Sequence, residues 1–204
     1  MKKIMSVVAM VLFLNPAASF AAKTKVVKAE ETAKTYTADV KASQLKWLGK
    51  KVTGQHEGTL LLKSGTVVVD NHEIKNAEFV IDMGSIKNSD IDDNKMNKKL
   101  VGHLKSEDFF DVAKYPTATL KVTQAKKVSE NNYKVKGDLT IKGETHEVSF
   151  PVKVDTSKET HAVGTIEIDR TQWNIRYGSG KFFKGLGDKM IKDKFEVSFD
   201  VVLK

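Results

Sequence analysis

Alternation of apolar and polar residues is the dominant pattern along most of the chain. The last stretch shows it best, because Phe195, Val197, Phe199, Val201 and Leu203 are separated mainly by charged or hydroxyl side chains. A period of two is typical of strands that have one buried and one solvated face. Similar alternation occurs at 45–47, 77–83, 118–122, 133–141, 148–154 and 162–168. The pattern predicts an all-β fold of about eight antiparallel strands, joined mainly by short turns.

Shorter polar stretches separate these runs. Residues 59–63 and 66–69 are two apolar-rich runs, and the intervening Lys63-Ser64-Gly65 predicts a hairpin turn between them. Residues 54–58, with Gly54 and Gly58 around a polar triplet, predict a turn, an edge or a bulge. Residues 70–73 predict another turn.

Such strands can form a sandwich or a closed barrel, and closure removes exposed strand edges. Because lysines occupy the solvated face, the apolar face is expected to point inward. A barrel of ~8 strands either fills its interior with side chains or holds one small ligand. The alternation predicts these inward side chains: Trp47, Phe79, Ile81, Leu120, Leu139, Phe150, Ile166, Phe195 and Phe199.

Residues 100–120 depart from the alternation. Met96, Leu100, His103 and Leu104 have the spacing of one face of a short helix. Ser106 followed by two acidic residues predicts the start of a second helical turn. We expect this helical insert to cover an open end of the barrel.

Three aromatic residues follow the predicted helix, namely Phe109, Phe110 and Tyr115. Pro116 then ends any helix and begins an extended segment. These aromatic residues are candidates for the mouth of the barrel. The pattern leaves open whether Phe109 and Phe110 plug the barrel or line its entrance.

The first 21 residues have the features of a secretory signal peptide. Lys2 and Lys3 precede an apolar run at 4–14, and Ser19 and Ala21 are small residues that suit cleavage after Ala21. Residues 22–35 show no periodicity and predict a flexible leader, so the folded domain is expected at 36–204. The protein is therefore expected to be periplasmic or secreted. Its lack of cysteine means that no disulfide contributes to stability.

The formal charge of +8 falls to +6 when Lys2 and Lys3 are removed with the signal peptide. Lysines are spread along the whole chain, and Arg170 and Arg176 are its only two arginines. Proteins that bind nucleic acids usually cluster their arginines on one face. The charge pattern therefore predicts a solvated surface and no nucleic-acid partner. It leaves room for weak, transient contact with an anionic membrane surface, and it does not predict an oligomeric state.

Several motifs resemble known sites but lack essential residues. Residues 90–94 open like a calcium-binding loop, yet the required Gly and Glu positions are Lys95 and Val101. Residues 178–181 resemble a phosphate-binding loop but lack the following Ser or Thr. The five histidines do not show metal-ligand spacing, and no Gly-x-Ser-x-Gly motif occurs. No metal, cofactor or catalytic residue is predicted, although a bound isoprenoid lipid or a quinone-like ligand would suit the apolar interior.

Two polar positions are candidates for contact with a ligand head group. His103 lies on the apolar face of the predicted helix, where it either pins the helix to the barrel or hydrogen-bonds a ligand. Arg176 and Tyr177 follow Trp173. Arg176 could meet an anionic or carbonyl head group, or it could form a surface ion pair with its stem packed on Trp173.

Four segments together resemble the YceI-like family of exported, polyisoprenoid-binding proteins. They are HLKSEDFFDV (103–112) with KYPTAT (114–119), GDLTIKGETH (137–146), WNIRYG (173–178) and the terminal strand. The resemblance extends over about 36–204. It implies a lipocalin-like barrel with a hydrophobic tunnel that holds a long isoprenoid or a similar lipid, and it implies no established catalysis.

The leading hypothesis is therefore an exported, non-catalytic protein that sequesters or carries such a lipid. The candidate ligand-binding residues are Trp47, Phe79, Ile81, His103, Phe109, Phe110, Leu120, Leu139, Phe150, Arg176 and Tyr177. One alternative is a filled barrel that serves as an interaction or stress-response module. Another is a small-molecule isomerase or hydrolase that uses His103 with Asp108 or Asp111.

Overall fold

A computed structural model of the protein describes residues 33–70 and 73–204. The predicted signal peptide and most of the predicted leader lie outside the described residues. The first strand begins at Lys34, two residues before the predicted start of the domain.

The described chain consists of nine strands, one α-helix and two short 3₁₀ turns. The strands are β1 (Lys34–Thr37), β2 (Gln44–Lys51), β3 (Gly54–Asp70), β4 (Glu73–Asn88), β5 (Thr117–Ser129), β6 (Asn132–Ile141), β7 (Glu144–Asp155), β8 (Thr160–Asp169) and β9 (Ile191–Leu203). The helix α1 spans Asn94–Lys105, and the 3₁₀ turns span Arg170–Trp173 and Gly187–Lys189.

The strands close into an antiparallel barrel. Their order is β3-β2-β9-β8-β7-β6-β5-β4, and β4 pairs again with β3. The short strand β1 pairs with the second half of β3, and Ala38 bridges to Leu203 on β9. Strands β1 and β2 thus occupy the same position in the wall. The predicted all-β barrel of about eight strands with a helical insert is confirmed.

The inward face of the barrel follows the predicted alternation. On β6, Val135, Gly137, Leu139 and Ile141 are buried, and the residues that alternate with them are more exposed. On the outer face, charged side chains form cross-strand pairs such as Lys136 with Glu147, whose Nζ and Oε1 atoms are 2.9 Å apart. These exposed pairs contribute little to stability, and the apolar interior supplies the main driving force for folding.

The predicted hairpin at Lys63-Ser64-Gly65 is wrong, because β3 runs without interruption through this segment. Leu62 pairs with Ile81 and Ser64 pairs with the next residue back, Val80, so Lys63 is an extra residue in a β-bulge. Gly65 serves close packing rather than a turn. A Cβ atom at Gly65 would lie 2.6 Å from Cδ1 of Phe79.

Helix α1 begins earlier than the apolar spacing suggested, and the second helical turn predicted at Ser106 is wrong. Asp93 is the N-cap, and its carboxylate accepts a hydrogen bond from the Met96 amide at 2.7 Å. Ser106 instead caps the C-terminus of α1, where its hydroxyl donates to the His103 carbonyl at 2.8 Å. Met96 is exposed, and Leu100, Val101 and Leu104 are the helix residues that pack against the core.

Candidate ligand-binding cavity

The barrel encloses a cavity of about 780 Å³. Its wall is almost entirely apolar and includes residues from every strand. At one end, which we call the helix end, it is lined by Leu100 and Leu104 of α1. At the other, which we call the hairpin end, it reaches Tyr36 and Thr160. The cavity therefore runs along the length of the barrel.

Several large side chains point inward but are only partly buried. Tyr133, Val152, Phe195, Val197 and Phe199 all line the cavity and pack against the core. Their remaining exposed surface faces the cavity, because the outward positions alternate with them on the same strands. The side chains do not fill the interior, which argues against the filled-barrel alternative.

Eight of the eleven candidate ligand-binding residues line the cavity. They are Trp47, Phe79, Ile81, Phe109, Phe110, Leu120, Leu139 and Phe150. The other inward candidates, Ile166, Phe195 and Phe199, line it too. The remaining three candidates, His103, Arg176 and Tyr177, are not part of the lining. Contact with a ligand stays a prediction for all eleven.

His103 lies in an aromatic cluster at the helix end. Its ring meets Phe109 edge-on with ring centroids 4.9 Å apart, and it meets Tyr177 in the same way at 4.5 Å. Its Nε2 atom is 3.0 Å from the Asp108 carboxylate. These contacts join α1, the turn after it and the β8–β9 connection, which agrees with the pinning role. Phe109 is buried and lines the cavity, so this cluster forms part of the wall at the helix end.

The other two aromatic residues of the insert occupy different places. Phe110 lines the cavity and lies edge-on to Phe195 of β9, with ring centroids 6.3 Å apart. Tyr115 instead covers the β6–β7 turn, where a Cβ atom on Gly143 would lie 2.8 Å from the tyrosine ring. Phe109 and Phe110 therefore line the helix end of the cavity, and Tyr115 does not.

Trp47 on β2 is fixed by a polar contact to β4, which lies beyond β3 in the sheet. Its Nε1 atom donates a hydrogen bond to the Lys87 carbonyl at 2.9 Å. Gly58 lies directly between them, since a Cβ atom there would be 1.8 Å from the Lys87 oxygen and 2.7 Å from Nε1 of Trp47. The indole can occupy this part of the wall because residue 58 has no side chain.

Arg170 is a buried charged residue in the cavity wall that sequence reasoning missed. It is only 4% exposed, and its guanidinium donates to three backbone carbonyls, those of Ile175, Ile191 and Lys192, at 2.9–3.1 Å. Burial lowers the pKa of the Arg170 guanidinium from its usual value. Asp193 is the nearest carboxylate, at 3.7 Å, too far for a hydrogen bond.

Trp173 and Arg176, both in the WNIRYG segment, lie apart from each other in the structure. Trp173 is fully buried, and its Nε1 atom donates to the Leu139 carbonyl at 3.1 Å. Arg176 is exposed, and its guanidinium lies 4.8 Å from the centre of the Phe182 ring. The cation of Arg176 thus faces away from the cavity toward an exposed aromatic residue.

The part of the chain that the structure describes shows neither a metal-ligand cluster nor a helix that could span a membrane. No group of three or more histidine, aspartate or glutamate side chains there could hold a metal ion. Asp90, part of the calcium-like motif, accepts from the Glu57 amide at 2.9 Å and lies 2.8 Å from His56 Nδ1. Across residues 33–70 and 73–204, no helix has both the length and the apolar character needed to span a membrane.

Comparison with solved structures supports the barrel fold. The crystal structure of BcnA from Burkholderia cenocepacia matches with a TM-score of 0.65 at 26% identity, covering 81% of this chain and 98% of that one. A polyisoprenoid-binding domain from Saccharophagus degradans, implicated in plant cell wall breakdown, matches with a TM-score of 0.61 at 20% identity. That match covers 83% of this chain and 97% of the other, and at this identity it shows a shared fold.

Comparison of sequences identifies the family. A UPF0312 protein of Staphylococcus aureus is 36% identical over 114 residues, which are 52% of this chain and 63% of the relative. The match thus spans less than two-thirds of the length of that curated relative. The family model described as the YceI-like domain matches residues 36–203, almost the whole described barrel. The chain therefore belongs to the YceI-like family.

Proposed function

We propose that this protein is exported and binds one long apolar lipid, of the polyisoprenoid class, inside its barrel. The observation that carries the proposal is the continuous apolar cavity of about 780 Å³ that extends from the helix end to the hairpin end. Pockets for small ligands usually enclose ~300–1,000 Å³, so the volume is suitable for a single guest. The shared fold with a polyisoprenoid-binding domain supports the ligand class.

The polar residues of the cavity are consistent with an amphipathic guest. Lys50, Lys51 and His56 contribute to the lining at the helix end, and Lys127 and Thr156 contribute at the hairpin end. Between them the wall is formed by aliphatic and aromatic side chains. A long hydrocarbon chain could therefore be buried in the middle, with a polar head group at one end.

The energy available from burial is sufficient for firm binding. Burying one methylene contributes ~0.8 kcal/mol, so a five-carbon isoprene unit contributes ~4 kcal/mol before any cost is subtracted. Ordering a flexible chain and losing its free motion offset much of this gain. Several buried units would still leave a net binding free energy of ~8 kcal/mol, which corresponds to a dissociation constant of ~1 μM.

Extraction of the natively purified protein tests the proposal directly. Organic-solvent extraction followed by mass spectrometry is expected to release a prenyl lipid in near-equal molar amount. The delipidated protein is expected to take up a fluorescent prenyl probe that the natural lipid displaces. Absence of any extracted lipid together with no uptake of the probe would refute the proposal.

The predicted signal peptide supports export, and export is tested separately. Expression of the full chain in a Gram-negative host is expected to give a periplasmic protein whose N-terminus is Ala22. A cytoplasmic product that retains Lys2 and Lys3 would contradict export, and it would leave lipid binding by the barrel unaffected.

A further inference from the structure

The β8–β9 connection, which we call the strap (residues 170–190), lies at the helix end of the cavity. Arg170 and Ile175 of the strap line the cavity, and Tyr177 packs against His103 and Phe109. The amide of Ile191, where β9 begins, donates to the Gly178 carbonyl at 2.8 Å. The first half of the strap is therefore part of the barrel wall.

The outer turn of the strap, residues 180–185, is exposed at every position. Phe182 is 44% exposed and Phe183 is 48% exposed, although both are large apolar residues. Ser179, which is 0% exposed, holds this turn in place, because its carbonyl accepts from the Phe182 and Phe183 amides at 3.2 and 3.0 Å. The turn thus presents two adjacent phenyl rings to solvent from a fixed anchor.

Basic residues are frequent in the strap and just after it, and the Arg176 guanidinium lies 4.8 Å from the centre of the Phe182 ring. Arg176, Lys184, Lys189 and Lys192 belong to the strap and the start of β9, and within the described chain none of them is within ion-pair distance of a carboxylate. Lys181 differs, since its Nζ is 2.8 Å from the Asp169 carboxylate. Asp188 is the single acidic residue between 176 and 192. The strap therefore combines exposed aromatic surface with uncompensated positive charge.

We propose that the outer turn of the strap docks the protein onto an anionic lipid bilayer. Phenylalanine side chains insert at the boundary between head groups and acyl chains, and nearby lysines are attracted to anionic head groups. Exposed phenyl rings and basic residues occur together at the helix end. A docked protein would therefore hold that end of its cavity against the membrane. The proposal concerns an external surface and does not rest on which lipid occupies the barrel.

The hairpin end provides a matched comparison. Val128, in the last part of β5, is 69% exposed and follows Lys126 and Lys127. It is a single aliphatic residue, whereas the strap presents two phenyl rings, each of which buries much more surface when it inserts. Equivalent substitutions at the helix end and the hairpin end therefore distinguish docking by the strap from a general attraction of the basic protein to an anionic bilayer.

Vesicle flotation with the full mature protein tests the proposal. Binding is expected to vesicles of phosphatidylglycerol and phosphatidylcholine, and it is expected to be weak with phosphatidylcholine alone. The double variant Phe182→Ser, Phe183→Ser should lose at least tenfold in partition, since full burial of one Phe side chain shifts an equilibrium by ~10- to 150-fold. The matched variant Val128→Ser should bind as the parent protein does.

Charge reversal gives a second pair of variants. Lys184→Glu, Lys189→Glu should weaken binding to the anionic vesicles by at least about 25-fold, because loss of each basic residue near the surface costs about fivefold and the new carboxylates are repelled by the anionic head groups. Lys126→Glu, Lys134→Glu changes the net charge equally, at two exposed positions outside the cavity lining, and should have a much smaller effect. All these positions are exposed, so retention of fold can be checked by circular dichroism.

Three results would overturn the proposal: no binding of the parent protein to anionic vesicles at low salt, equal loss from both charge reversals, or a larger loss from Val128→Ser than from the phenylalanine variant. Vesicle binding is measured with delipidated protein, whereas lipid uptake is measured without vesicles. Failure of one proposal is therefore distinguishable from failure of the other.

Discussion

Narrowing the cavity at its middle should weaken lipid binding without unfolding the protein. Val197 of β9 lines the cavity between Trp47 on β2 and Ile166 on β8. Its side chain is only partly buried because it faces the cavity. Val197→Phe would place a larger side chain in existing space rather than in a packed core. The next residue, Ser198, points outward from the same strand, so Ser198→Phe is the matched control.

The magnitude follows from the volume that the new side chain occupies. Phenylalanine has about four more carbons than valine, and each methylene of ligand that loses its place forfeits ~0.8 kcal/mol. The loss for Val197→Phe is therefore ~3 kcal/mol if the ligand cannot move aside, which corresponds to a ~100-fold rise in the dissociation constant. A flexible chain can shift along the cavity, so a rise between ~10- and ~100-fold is expected.

Titration with a fluorescent prenyl probe measures the change, and the thermal midpoint of each variant is recorded beside it. We expect Val197→Phe to bind the probe more weakly and to unfold at or above the temperature of the parent protein, because the ring gains apolar contacts. Ser198→Phe should bind normally. Unchanged affinity in Val197→Phe, or equal loss in both variants, would refute binding within the barrel.

Two further changes test the structure around the cavity. Gly58→Ala should destabilise the protein by ~2–5 kcal/mol, because the Lys87 carbonyl would be 1.8 Å from the new Cβ atom and must move. The control Gly54→Ala, whose new Cβ atom would have its nearest neighbour at 3.8 Å, should destabilise the protein much less. Equal urea midpoints for the two variants would contradict this expectation. A hydrogen bond from His161 to Asp200, with the two atoms 2.7 Å apart, raises the pKa of the histidine. The stability that this pair contributes is therefore full below about pH 6.5 and is lost as pH rises through the folded-state pKa of His161. His161→Gln should flatten the profile of urea midpoint against pH. An unchanged slope of that profile would count against the pairing.

The sequence predicted the strands and their inward faces because the side-chain period of a strand is fixed at two. It failed where a bulge changes the parity. Leu60 and Leu62 point inward at even positions of β3, and beyond Lys63 the inward positions are odd, as at Val67. The bulge interrupts the alternation, and with a polar Lys-Ser-Gly run it resembles a hairpin turn. Pairing with Ile81 and Val80 of β4, which local sequence does not show, decides in favour of one strand.

The wall of the candidate site was largely predictable, and the open space inside it was not. Alternation places Phe150 and Leu139 on the inner face whether the barrel is filled or hollow. The size of the interior depends on how all eight strands close, which is a property of the whole sheet. The contact of His103 with Tyr177 likewise joins residues that are far apart in sequence, so the spacing within one helix could not predict it.

The two arginines show how alternation can outweigh local composition. Arg176 has aromatic neighbours in sequence and was the candidate, yet it lies outside the cavity. Arg170 continues the inward parity of Ile166 and Ile168, and it reaches the cavity wall where an apolar side chain would be expected. Its guanidinium is held by carbonyls on both sides of the strap.

The hydrogen bonds of Arg170 link the lipid cavity to the outer turn of the strap. Arg170 bonds to Ile175 near the start of the strap and to Ile191 just beyond its end, so it fastens both ends of a 21-residue connection to each other. A strap fixed in this way can close the helix end of the cavity while its outer turn, with Phe182 and Phe183, stays exposed. Loosening it through Arg170→Gln should therefore affect both lipid retention and vesicle docking, whereas the phenylalanine and lysine variants of the strap surface should affect docking alone.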